Sequence, residues 1–195
     1  GATAIQVAID QAAALDGQRP VVHLPSGNYT LDTSLVIPAN TDMRLMGDGI
    51  WRATTLHWAG SGDGPMLQID GPTHAGVFSL RVSGGTPESG PLTVVADTLD
   101  QPGARIHLEQ PSVFGYGYSM VVDQLDHAYV SINNATHYGI HVIGGSLTAA
   151  GEPTDAYVDL FQGLGGRPAP ELSAPDTFVY QVTDGGRLAV HDAWY

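Results

Sequence analysis

Two series of short apolar segments in this chain carry polar residues at matched offsets, and the residue types suit acid–base and metal chemistry. The first series reads MLQID, TVVAD, MVVD, HVIG and YQVTD, ending at Asp70, Asp97, Asp123, Gly144 and Asp184. Carboxylates in a row repel one another unless a cation, a proton or solvent intervenes. Ca²⁺ takes about six to eight oxygen ligands. Asp70, Asp97 and Asp123 are therefore candidate metal ligands, and Ca²⁺ is the candidate cofactor. The alternative is that each aspartate starts a turn by bonding its neighbouring backbone, which the contexts IDG, VAD, VDQ and TDG also fit.

The second series reads VFSLRV, RIHLEQ, YVSINN, YVDLFQ and RLAVHD, with centres at Leu80, Leu108, Ile132, Leu160 and Val190. Arg81, Glu109, Asn133, Phe161 and His191 follow the centres; Ser79, His107, Ser131, Asp159 and Ala189 precede them. A polar face with Arg, His and carboxylates suits glycan cleavage, which needs proton donors and acceptors and groups that stabilise charge. Glu109, Asp159, Arg81 and His107 are the candidate catalytic residues. Asn133, His191 and Trp58 are the candidate substrate-binding residues, Trp58 as a surface for sugar stacking. The alternatives are a solvated face for the polar row and coil-edge packing for Trp58.

The spacings of the second series are 28, 24, 28 and 30 residues. A strand–turn–strand unit at such a period indicates a solenoid, each repeat being one coil. Equivalent positions then stack about 4.8 Å apart, with alternate residues pointing inward. A β-sandwich of similar strands is the competing architecture. Ahead of the strands, Ile5, Ala8, Ile9, Ala12 and Leu15 recur at helical spacing within Ala2 to Gly17. Thr3 and Gln6 form a T-x-x-Q capping box, and Gly17 suits the left-handed position after a helix end. A helix of about 14 residues is too short to stand alone in water. Its apolar stripe is expected to cover the open end of the solenoid, where backbone and core would otherwise be exposed.

The run TAIQVAIDQAAA…VVHLPSGNYTL…SLVIPANTDMRLMGDG, over residues 2 to about 50, resembles the start of the pectate-lyase-like right-handed parallel β-helix superfamily. There an "aIQ-aID-A" helix precedes a "V-LP-G-Y-l" strand. The resemblance implies an all-β fold: a right-handed parallel β-helix (solenoid) with a short N-terminal capping α-helix. It also implies a carbohydrate-handling, exported protein, placed outside the cell or at its surface. Residues 1–195 read as one domain, with 1–17 the capping helix and 20–195 the coils. Because the superfamily motif commonly begins before the helix, a longer parent chain is expected. No catalytic residue transfers: the D-D, G-H-G and R-x-K patterns of the hydrolases are absent, as are the W-x-D-H and R-x-P-x-x-R patterns of the calcium lyases, and the N-T-D at Asn40 to Asp42 lies within the opening motif without the other hydrolase patterns.

Bulk properties narrow the partners. The chain has 195 residues and a net charge of −13, with seven arginines, no lysine and no cysteine. The charge disfavours nucleic acid and anionic membranes as partners, and an acidic polysaccharide too unless a cation bridges the two; no apolar run is long enough to span a bilayer. Disulfides and thiolate metal sites are excluded. His137 and His141 form H-x-x-x-H, a zinc pair only on a helix; among strands the two stand about 13 Å apart. The loops SGGTPESGP and GLGGRPAPELSAPD are candidate walls of a binding groove.

The function expected is a carbohydrate-active domain acting on an extracellular or cell-surface polysaccharide, by lyase or hydrolase chemistry. The alternative is a non-catalytic glycan-binding or structural module of adhesin or tailspike type. A polysaccharide is the expected partner, with a homo-oligomer or adjoining domains of a longer chain beside it.

Overall fold

In the computed structural model the described residues are 1–15, 17–49, 53–60, 64–71, 73–84, 92–96, 105–109, 112–114, 120–125, 129–133, 136–137, 140–144, 157–161, 164–165, 180–183 and 187–191. Helix α1 spans Ala2–Ala13, and the strands that follow wind into coils of three. The first coil holds β1 (Val21–Leu24), β2 (Gly27–Leu31) and β3 (Leu35–Ile37). The second holds β4 (Arg44–Gly47), β5 (Thr54–Trp58) and β6 (Leu67–Gly71). The third holds β7 (Gly76–Phe78), β8 (Arg81–Ser83) and β9 (Leu92–Ala96). The fourth holds β10 (Arg105–Glu109), β11 (Ser112–Phe114) and β12 (Met120–Leu125). The fifth holds β13 (Tyr129–Asn133), β14 (Thr136–His137) and β15 (Ile140–Gly144). The sixth holds β16 (Tyr157–Phe161), β17 (Leu164–Gly165) and β18 (Tyr180–Thr183), and β19 (Arg187–His191) opens the next.

Among the described residues each strand pairs in parallel with the strand three along, which builds one seven-stranded sheet and two six-stranded sheets. This is a right-handed parallel β-helix, the architecture expected from the repeat and from the resemblance. The first sheet contains β1, β4, β7, β10, β13, β16 and β19; the second begins with β2 and the third with β3.

Alternation sets which residues fill the interior. In β10, Ile106 and Leu108 are buried while His107 and Glu109 are partly exposed. Register aligns Val22, Leu45, Val77 and Leu108 in one inward column of the first sheet. Leu35 and Leu67 stack in the third sheet, as do Ile37 and Ile69; all four are fully buried. Leu56, Val82 and Val113 do the same in the second. Between sheets, Thr41 and Thr73 form a buried corner: Thr41 Oγ1 lies 3.1 Å from Thr73 Oγ1, and Thr73 Oγ1 donates to Thr41 O at 3.0 Å.

Helix α1 lies over the first coil and buries Ala2, Ile5, Ile9 and Ala12. It is shorter than expected. The helix stops at Ala13, Leu15 is 46% exposed rather than part of the buried stripe, and Gly17 takes φ +70° after the helix end. The capping box does not form, because Gly1 is the N-cap and no side chain caps the helix. Gln6 instead bonds the backbone of Val36: its Nε2 donates to Val36 O at 2.9 Å and Val36 N donates to its Oε1 at 2.8 Å.

The repeat also needs a correction at its first member. VFSLRV is not one strand. Ser79 takes φ 51°, donates its N–H to Glu109 O and accepts from Gly49 N–H, both at 2.9 Å. These bonds turn the chain between β7 and β8. The partner of Leu108 is therefore Val77, and Phe78 stands beside Glu109, where Arg81 was expected. Arg81 belongs to β8 in the second sheet, between Thr55 and Ser112.

Candidate functional site on the outer face of the seven-stranded sheet

Register aligns two columns of positions across the first sheet. One runs Gly76, His107, Ser131, Asp159 and Ala189; the other runs Phe78, Glu109, Asn133, Phe161 and His191. The strand alternation that buries Ile106 and Leu108 necessarily turns His107 and Glu109 to the same side, two residues apart.

His107 is the centre of the described geometry. Its Nε2 lies 3.2 Å from Glu109 Oε2, and its Nδ1 lies 3.2 Å from Ser131 Oγ on the next rung. An ionised carboxylate only accepts, so the Nε2 hydrogen points to Glu109; in the neutral imidazole Nδ1 then accepts from the Ser131 hydroxyl. The His107 and Glu109 side chains are 39% and 30% exposed, open to a ligand yet held by neighbours. Phe78 packs beside the imidazole, with ring centroids 5.5 Å apart and planes at 47°. Arg44 lies over the other part of this surface, its Cζ 5.9 Å from the Phe78 centroid. Gly76 makes room for that ring: a Cβ there would stand 2.4 Å from Phe78 Cε2.

The remaining candidates fall in different places. Asp159 is in the His107 column two rungs on, Asn133 is the register partner of Glu109, and His191 ends that column, exposed. The backbone positions of Glu109 and Asp159 are two rungs and two residues apart, about 12 Å on the sheet spacings. Glycosidase carboxyl pairs stand about 5 to 9.5 Å apart, so these two side chains would have to converge to work together. Trp58 is in β5 of the second sheet, packed against the core and away from His107. A Cβ on Gly84 would reach Trp58 Cβ at 2.7 Å, and one on Gly60 would reach the indole Cζ2 at 2.6 Å, so the indole lies against Gly60.

The aspartate series is placed by register as Asp70, Val95, Asp123, Ile143 and Thr183. Val95 occupies the rung between Asp70 and Asp123, where Asp97 was expected; Asp97 itself lies outside the described residues. Asp70 Oδ1 accepts from Gln68 Nε2 at 2.7 Å. Among the described residues no group of three or more His, Asp or Glu is arranged to hold a metal ion. His137 and His141 fall in β14 and β15, in different sheets. Most of the two long loops lies outside the described residues.

A second polar cluster stands at the helix-capped end. His23 Nε2 is 2.6 Å from Asp48 Oδ1, and Ser26 donates to Asp48 Oδ2 through both N (2.7 Å) and Oγ (2.9 Å). The His23 contact, then the two from Ser26, hold the Asp48 carboxyl below its ordinary value of 3.8. Here the serine bonds the carboxylate and not the imidazole, so the cluster clasps the first coil to the second and sets no imidazole beside the Ser26 hydroxyl.

Sequence reasoning missed Phe78, Arg44 and the role of Ser131. The slipped first repeat hid Phe78. The alignment of RIHLEQ with YVSINN already set Ser131 beside His107, and that juxtaposition was the available signal.

No protein-family model matches the chain, and no curated protein matches it. Among solved structures the chain is similar to "Geobacillus virus E2 - ORF18", at 15% identity and a TM-score of 0.48. That match covers 93% of this chain and 44% of the other, so this chain spans less than half the length of the viral protein.

Proposed function

We propose that this β-helix is a carbohydrate-active domain of the pectate-lyase-like kind, and that an extended polysaccharide lies along the outer face of its seven-stranded sheet. The observation that carries the reading is the His107–Glu109 pair, at 3.2 Å, on a sheet of seven parallel strands. A proton acceptor held by a carboxylate suits abstraction of a sugar proton in a lyase, or proton transfer to a leaving oxygen in a hydrolase. Residues repeating every 4.8 Å or so match a ligand that is itself a repeat. The place of action is outside the cell or at its surface, and a Ca²⁺ bridge to an anionic sugar belongs to the lyase form of the proposal.

The openness of the pair favours a second reading. Glycosidase acids are commonly tuned by burial, and His107 and Glu109 are both partly solvated. A glycan-binding module without cleavage fits that exposure. The test is a panel of polygalacturonate, alginate and xylan, with and without Ca²⁺. Ultraviolet absorbance reports unsaturated uronates from a lyase, reducing ends report hydrolysis, and retardation in a gel containing the polysaccharide reports binding alone. Inertness in all three readouts from folded protein would sink both readings.

A further inference from the structure

We propose that Ser131, His107 and Glu109 act together as a nucleophile, base and positioning carboxylate for hydrolysis of a short acyl ester. The relay is geometric: Ser131 Oγ is 3.2 Å from one imidazole nitrogen, and Glu109 Oε2 is 3.2 Å from the other. A hydroxyl is a weak nucleophile until a neighbouring base takes its proton, and that base works best when a third group fixes its tautomer. Glu109 does this by accepting the Nε2 hydrogen, leaving the Nδ1 lone pair toward Ser131. All three residues stand on paired strands, β10 and β13, so the constellation is built on rigid elements. The cluster of Ser26, His23 and Asp48 lacks this order, because its serine donates to the carboxylate.

The step balances with water alone. Ser131 Oγ bonds to the ester carbonyl carbon while its proton passes to His107 Nδ1. The tetrahedral adduct collapses, the bond from carbon to the alcohol oxygen breaks, and Nδ1 returns the proton to that oxygen. Water then adds to the acyl-serine, its proton passes to Nδ1, and the carboxylic acid leaves as Ser131 recovers its hydrogen. The Phe78 ring beside His107 gives a small apolar wall, which suits an acetyl group over a charged one.

This activity stands apart from glycan cleavage: both use His107 and Glu109, but ester hydrolysis alone needs Ser131. The test uses p-nitrophenyl acetate and a fluorophosphonate that traps activated serines. Expected are a single adduct mapping to the peptide that carries Ser131, and a fall in p-nitrophenol release of about 100-fold or more in Ser131→Ala and His107→Gln. Ser26→Ala should keep the full rate. The adduct is read on the unaltered chain, so the result does not depend on any variant folding. An adduct elsewhere, no adduct, or an unchanged rate in Ser131→Ala would overturn the proposal, whatever the polysaccharide panel shows.

Discussion

Gln6 and Val36 are joined by a reciprocal pair of hydrogen bonds, at 2.8 and 2.9 Å, in which a side-chain amide takes the place of a missing β-strand. β3 is the edge strand of the third sheet, and its backbone at Val36 would otherwise end unpaired beneath the helix. The amide pairs an accepting oxygen with an NH₂ group of two hydrogens, so glutamine can satisfy both backbone groups and still donate to Asp10 Oδ1 at 2.8 Å. This is the physical content of the "IQ" in the opening helix.

Gln6→Leu should destabilise the fold by about 1–3 kcal/mol, because it strands two partly buried backbone groups. Gln6→Glu should recover only part of that, since an ionised carboxylate accepts from Val36 N–H but cannot donate to Val36 O. Urea midpoints of the three chains check this. Equal stability of Gln6→Leu and the parent would show that the helix caps by apolar cover alone.

Gly47→Ala should cost about 1–3 kcal/mol by overpacking. A Cβ there would meet Ser79 O at 2.6 Å, Thr54 Cβ at 2.8 Å and Leu80 Cβ at 2.9 Å, and two of these are fixed by a turn and by the core. Thermal melting reads the loss. Gly17→Ala is a useful comparison, since that position has open space and only its φ of +70° resists the change.

Asp48 gives an acid-side signature. Its bonds to His23 and Ser26 lower its folded pKa below 3.8. A depressed carboxylate adds stability above its unfolded pKa and loses it as pH falls through the folded value. The contribution should therefore be full near neutrality and fade in the acid range below 3.8. Asp48→Asn should flatten that segment of a melting-temperature profile. An identical acid limb in the variant would show that the clasp is not coupled to folding.

Much of the architecture was legible because coil stacking repeats one alternation of apolar and polar residues many times. RIHLE and YVSIN align residue for residue in the sheet as they do on paper. The frame failed at VFSLRV, where Ser79 bends the chain at a position no periodicity marks. The same limit applies to Asp70: its rung partner is Val95, because β9 pairs two residues earlier than the matching aspartates suggested. The T-x-x-Q spacing marks Gln6 as a cap for its own helix, while its backbone partner Val36 lies 30 residues away in sequence. Site residues within one coil or the next were therefore readable, and those displaced by a corner were not.

The most direct test of the glycan face compares two outward substitutions on different sheets, Glu109→Gln on the first and His57→Ala on the second, where His57 is exposed in β5. The substrate is whichever member of the polysaccharide panel the parent chain cleaves or retains. Glu109→Gln should lower cleavage about 100-fold, in line with loss of an acid–base group, or abolish retention, while His57→Ala should change neither. Equal effects from both substitutions, or none from Glu109→Gln, would place the glycan elsewhere and contradict the central claim.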